Sequence, residues 1–157
     1  MEKKKNVVLG VTSGIAAYKA IELVTLLKKE GIDVSVVMTQ SATQMIDPLA
    51  FKKASGKKVY TTLFEKGFSY KNVLKTRSVD HIALADVAHA VVIAPATANS
   101  IAKLAHGIAD DFLTTMVLAT TTPVIVCPSM NVHMWNNPLV QENIAKLKRF
   151  GYIIVEP

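Results

Sequence analysis

Short, nearly all-apolar runs alternate with stretches of helical period from one end of the chain to the other. Asn6–Thr12 is a β-branched run that stops at Ser13-Gly14. Ala17, Ala20, Ile21, Val24 and Leu27 then keep the helical period until Gly31 ends it. Asp33–Met38 reads as a second strand, and Ser41 is placed to cap a short helix that Pro48 interrupts or restarts. Ser55–Val79 has weak periodicity and many lysines, and most of it reads as loop. Asp80 is expected to cap a helix through His81–His89, with a third strand at Ala90–Ala94. Helices over Asn99–Ala105 and Asp110–Ala119 lead to a fourth strand at Pro123–Cys127. Asn137-Pro138 opens a last helix, Gly151 closes it, and Tyr152–Val155 is the final strand. Strands this apolar, alternating with helices, predict a parallel sheet covered on both faces.

In such sheets ligands bind beyond the carboxyl ends of the strands. Four segments occupy those positions: Thr12-Ser13-Gly14, Thr39-Gln40-Ser41, Pro95–Ser100 and Pro128–Trp135. The first turn, Gly-Val-Thr-Ser-Gly-Ile-Ala-Ala, is neither the dinucleotide fingerprint nor a triphosphate loop. Two readings of it stand side by side: a capped helix start, or a helix N-terminus whose free amides and hydroxyls take a phosphate monoester. Thr97, Asn99 and Ser100 offer more polar groups than one cap requires, which suits a ring system with its own donors and acceptors. In the last segment Asn131 stands among Met130, Met134 and Trp135, a cluster that reads equally as core.

Composition narrows the class. The chain has 157 residues, 50% hydrophobic and only 19% charged, which excludes disorder and coiled coil and fits a single domain. Mean hydropathy is +0.31, so either a membrane or a second subunit is expected to cover apolar surface. The apolar runs are too short to span a bilayer, which leaves oligomerisation. One cysteine, Cys127, and an N-terminus without the features of a secretory signal fit a cytoplasmic protein. The formal charge of +6 is scattered over lysines and accompanied by 6% aromatics, a poor match to a nucleic-acid surface. Solvated lysines and an anionic small-molecule ligand explain it equally well.

Of the four histidines, His81 stands at a helix start, where it can serve as a base or play a capping role. His133 is secondary; His89 and His106 fall near helix C-termini and are set aside. No spacing of His, Cys and carboxylates matches a metal site. Cys127 lies within a strand and reads as a buried apolar residue.

Taken together, Val11–Lys19 (VTSGIAAYK), Asp80–Asp86 (DHIALAD), Ala94–Ser100 (APATANS), Gly107–Asp111 (GIADD) and Pro128–Trp135 (PSMNVHMW) resemble the flavin-containing cysteine decarboxylases almost end to end. The nearest resemblance is to the decarboxylases of coenzyme A biosynthesis. It implies a three-layer Rossmann-like (flavodoxin-like) fold. It also implies FMN held by Ser13, Gly14, Ile15, Thr39, Ser41, Thr97, Ala98, Asn99, Ser100 and Ser129. His81 matches the family's active-site histidine, Asn131 matches the asparagine that meets the substrate carboxylate, and Met134 is placed beside the substrate. Family members are homotrimers or trimer-based dodecamers, in accord with the apolar excess.

The implied reaction is flavin-assisted decarboxylation of the cysteine moiety of 4'-phosphopantothenoylcysteine to 4'-phosphopantetheine. The coenzyme A enzymes carry an acid cysteine in a flap beyond the last strand. The chain ends at Pro157, before that position, and Cys127 is not its equivalent. The expectation is therefore one FMN-binding domain, 1–157, lacking that flap, either cut short or typical of a relative that performs only the oxidative half. The alternatives are a peptidyl-cysteine decarboxylase and a non-catalytic FMN-binding regulatory subunit. Retention of both His81 and Asn131 argues against the second. The first turn lacks the Gly-Ala-Ser-Gly of the flavin prenyltransferases. The basic stretch Lys57, Lys58, Lys66, Lys71, Lys75 and Arg77, with Glu65 as its nearby acid, is either a solvated loop or a contact for a substrate phosphate.

Overall fold

The computed structural model describes residues 4–64, 66–76 and 79–157. Met1–Lys3, Glu65 and Arg77 of the readings above lie outside the described residues, as does the side chain of Lys75. The elements in chain order are β1 (Asn6–Val11), α1 (Lys19–Lys29), β2 (Asp33–Met38), α2 (Pro48–Ser55), β3 (Val59–Tyr60), α3 (Tyr70–Thr76) and α4 (Asp80–Val87). They continue with β4 (Ala90–Ala96), α5 (Ala98–His106), α6 (Phe112–Ala119), β5 (Val124–Pro128), α7 (Val132–Trp135), α8 (Pro138–Arg149) and β6 (Ile153–Ile154).

All strand pairs are parallel, in the order β3-β2-β1-β4-β5-β6. With the two-residue edge strand β3 set aside, the other five run in the flavodoxin-like order. The order reverses at β1 and β4, so the crevice for a ligand opens where those two strands end.

Two apolar layers sandwich the sheet. Val8, Val91, Ile93 and Val126 face Ile101, Leu113, Met116 and Leu147 on one side. Leu9, Val11, Val34, Val36 and Met38 face Ala17, Ala20, Val24 and Phe51 on the other. Alternation along β1 and β4 thus serves both cores, the pattern that period-two side chains require. A side chain at Gly10 would place its Cβ 2.6 Å from Leu113 Cδ1, so the glycine lets α6 lie close on the sheet.

Several boundaries differ from the sequence reading for local reasons. β3 and α3 lie within the stretch read as loop. α4 begins after Val79; Asp80 makes no side-chain cap and instead pairs with Lys58 at 3.2 Å. Ser41 stands at the N-cap of a short 3₁₀ turn, Ala42–Gln44, without a side-chain cap bond, and Asp47 caps the helix that Pro48 opens, accepting from Leu49 N–H at 2.8 Å. α6 is capped by Asp111 in a reciprocal box with Thr114, one residue later than expected, and Asp110 is engaged elsewhere. α4 ends at Val87, and His89 Nδ1 accepts from the Asn6 N–H at 3.1 Å.

Candidate functional site

The crevice at the reversal point is built around Thr12. Its Oγ1 donates to the Pro95 carbonyl at 2.7 Å and accepts from the Thr97 N–H at 3.0 Å. The end of β1 is thereby tied to the end of β4. Thr97 then caps α5, accepting from Ser100 N–H at 3.2 Å. After β2, Thr39 Oγ1 accepts from Ala42 N–H at 3.2 Å and lies 3.3 Å from Ser41 Oγ. Hydroxyls are held at three neighbouring strand ends because each one also secures its own turn.

These turns enclose a polar cleft of about 380 Å³ lined by Ser13, Thr39, Gln40, Ser41, Gln44, Asn99, Ser100, Lys103, Asp110 and Asp111. Ser13, Thr39, Ser41, Asn99 and Ser100 of the predicted set converge there. Gly14 stands just behind the first turn: a Cβ on it would lie 3.1 Å from Pro95 Cγ and 3.9 Å from the Ser129 carbonyl. That close approach of backbone to Pro95 is the reason for a glycine, since its φ of −92° is open to any residue. Thr97 and Ala98 form the α5 start, while Ile15 is 88% exposed and points away from the fold.

Lys103, Asp110, Asp111 and Gln44 line the cleft from outside the four nominated segments, and Gln40 lines it from within the Thr39–Ser41 turn. Lys103 lies a helical turn beyond Asn99 and Ser100, so the shared face of α5 was readable from spacing. Its ammonium donates to both oxygens of Asp110, at 2.8 and 3.0 Å, and stands 3.8 Å from Asp111. The hydrogen bond to Asp110 raises the Lys103 pKa, and the same bond lowers that of Asp110.

His81 and Asn131 are not among the residues that line the cleft. His81, half-buried on α4, meets the Phe112 ring edge-on with centroids 6.0 Å apart. Phe112 stacks on Tyr60 and directly follows Asp111 of the cleft wall. Asn131 caps α7, its Oδ1 accepting from His133 N–H at 2.8 Å. That leaves the amide NH2, a donor, as the pole able to meet a carboxylate. Met134 is exposed beside it, and Met130 and Trp135 pack on the core.

On the α1 side, Ala16, Ala20, Leu23, Ala94, Pro95 and Cys127 line an apolar depression of about 260 Å³. Burial pushes the Cys127 thiol pKa up, which keeps it neutral. Among the described residues no group of three or more His, Cys, Asp or Glu could hold a metal ion. No helix among them is long and apolar enough to cross a membrane.

The family model "Flavoprotein" matches residues 1–157. The chain belongs to the flavoprotein family. It is 45% identical over 157 residues to the coenzyme A biosynthesis bifunctional protein CoaBC of Bacillus subtilis, covering 100% of this chain and 37% of that protein. The chain thus spans under two-fifths of that relative's length. It is 41% identical over 155 residues to the probable phosphopantothenoylcysteine decarboxylase of Streptococcus mutans, covering 98% of this chain and 83% of that one. Among solved structures it is similar to the FMN-dependent cysteine decarboxylase SpaF, with a TM-score of 0.87 and 36% identity, covering 98% of this chain and 84% of that one.

Proposed function

We propose that this flavoprotein binds FMN in the polar cleft and decarboxylates the cysteine moiety of 4'-phosphopantothenoylcysteine, as a cytoplasmic carboxy-lyase of coenzyme A biosynthesis. The observation that carries the reading is the convergence of Ser13, Thr39, Ser41, Asn99 and Ser100 on one cleft where the strand order reverses. The decarboxylase of Streptococcus mutans, similar over most of both chains, supports the substrate. The donor set fits the cofactor. Hydroxyls and backbone amides suit a phosphate monoester, and amide and hydroxyl groups at the α5 start suit a heteroaromatic ring.

When bound, FMN supplies the two-electron oxidation of the cysteine side chain. The protein's own residues position and polarise the substrate. Asn131 directs its NH2 at the cysteine carboxylate and holds it until CO2 departs, with the electron pair passing toward sulfur. His81 serves as base or hydrogen-bonding partner at the reacting cysteine, its ring kept in place by Phe112 and Tyr60. Ser129, which lines the apolar depression beside Cys127, and Met134, exposed on α7, would meet the ligand of a neighbouring subunit.

A single chain leaves His81 and Asn131 outside the cleft lining, and we propose a homotrimer or trimer-based dodecamer that brings them to a neighbour's cofactor. Its contact face is the one α1 leaves open. Ile125 and Cys127 of β5 are half-buried there, Ile153 of β6 is 50% exposed, and Ile15 and Tyr18 protrude beside them.

Parallel incubations of the FMN-loaded chain with phosphopantothenoylcysteine and with a cysteine-terminated peptide, analysed by mass spectrometry, test the substrate. Loss of CO2 from the pantothenoyl compound alone is expected. Loss from the peptide alone would replace this reading with a peptidyl-cysteine decarboxylase. Flavin binding with neither product would leave a regulatory FMN-binding subunit.

A further inference from the structure

The protein is basic overall, yet among the described residues the one cation lining the cleft is already committed. Lys103, with its side chain three-quarters buried, is held by both oxygens of Asp110 and approached by Asp111. The three side chains together carry a net charge of −1 at neutral pH. The remaining lining groups are hydroxyls and amides. The charged trio belongs to the α5–α6 wall of the cleft, and Ser13, Thr39 and Ser41 belong to the turns after β1 and β2. The two walls therefore differ in electrostatic character.

A phosphate monoester carries between one and two negative charges at neutral pH. Beside a net-negative trio it is repelled; at a wall of hydroxyls it is accepted without a counter-ion. A ring edge that bears both an N–H donor and carbonyl acceptors has the opposite preference, because carboxylate oxygens accept and the ammonium donates. We propose that Lys103, Asp110 and Asp111 set the direction of the flavin in the cleft. The trio excludes the phosphate from the α5–α6 wall and takes the uncharged, donor-bearing end of the ligand. Lys103 is then a specificity-determining residue for the flavin and not its phosphate ligand. The inference rests on the FMN reading above and assigns a role that the flavin-binding turns alone do not contain.

Titration of the chain, freed of flavin, with FMN and with riboflavin, followed by flavin fluorescence, separates the two ends of the ligand. Lys103→Met and Asp110→Asn are expected to change the affinity for both flavins by the same factor, at least about fivefold. Lys103→Arg, which keeps the ion pair, is expected to stay within about twofold of the parent. Ser41→Ala is expected to weaken FMN about tenfold while leaving riboflavin nearly unchanged. A Lys103→Met loss confined to FMN would make Lys103 the phosphate's counter-ion and overturn the proposal. Trio variants that alter neither affinity would overturn it equally. If the unmodified chain binds neither flavin, the FMN reading itself fails, an outcome distinct from both. Melting curves of each variant show whether the fold is retained, and Asp110→Asn still decides the question if Lys103→Met does not fold: a change shared by both flavins supports the proposal, and a gain confined to FMN overturns it.

Discussion

Thr12 Oγ1 bridges the ends of β1 and β4, donating to Pro95 and accepting from Thr97 within 3.0 Å in both cases. The side chain is buried, and Thr97 in turn caps α5, so one hydroxyl ties together two of the turns beside the cleft. Thr12→Val removes the partner of the Thr97 N–H. A polar group left unsatisfied in such a place costs about 1–3 kcal/mol. For a chain of this size that lowers Tm by roughly 2–4 °C per kcal/mol. Thermal melting should show this loss together with weakened FMN binding, and Thr12→Ser should restore both. A valine variant with unchanged Tm and flavin affinity would mean that the bridge does not organise the cleft.

The Lys103–Asp110 pair has a pH signature. The hydrogen bond from Lys103 lowers the Asp110 pKa, so its stabilisation is present above the unfolded carboxylate range and is lost as pH falls through the folded value. The same bond raises the Lys103 pKa, so its share is present below the unfolded lysine range and is lost as pH rises through the folded value. The stability difference between the parent and Asp110→Asn should be flat across neutral pH and close at both extremes. Asp110 is largely solvent-exposed, so the plateau should be small and should shrink in high salt. Chemical denaturation across pH measures it; a difference that grows toward acid would contradict the ion-pair assignment.

The open apolar face makes its own prediction. Ile15 is 88% exposed beside Tyr18 and the half-buried Cys127 strip, and a charge at this point of a buried contact is costly. Light scattering of the FMN-loaded parent should report a trimer or a multiple of it, and Ile15→Asp should shift the mass toward the monomer. A parent that runs at 17.0 kDa with FMN bound would remove the trimer from the account.

Much of this architecture was legible because the strands are apolar runs and the helices keep their period. β3 was not, since two half-buried residues carry no alternation. The α4 start was misassigned because Asp80 is drawn to Lys58 across the fold, a contact no local pattern announces. Ser13, Thr39, Ser41, Asn99 and Ser100 could be nominated from sequence because each follows a strand directly. Asp110 and Asp111 could be read only as a motif. Their approach to Lys103 depends on the left-handed turn at Gly107, with φ of 66°, which folds the start of α6 back along α5. The position of His81 against Phe112 was equally invisible, because it depends on how α4 packs on α6.

Asn131 offers the most direct test of the proposed decarboxylation. Its Oδ1 caps α7 through His133, and aspartate caps as well as asparagine, so Asn131→Asp leaves the helix start intact. What changes is the NH2 pole, replaced by a carboxylate that, in the role proposed for Asn131, faces the substrate's own. Like charges within about 4 Å repel by roughly 4 kcal/mol at an effective dielectric near 20. His81→Asn removes the ring without adding charge. The deciding measurement is CO2 release from phosphopantothenoylcysteine labelled in the cysteine carboxyl group, by the FMN-loaded parent and by each variant, with bound flavin read from its absorption. The proposed decarboxylation predicts labelled CO2 from the parent, and bound FMN with labelled CO2 reduced by at least about a hundredfold in Asn131→Asp and His81→Asn. A flavin-loaded parent that releases no label, or variants that release it at the parent's rate, would contradict it.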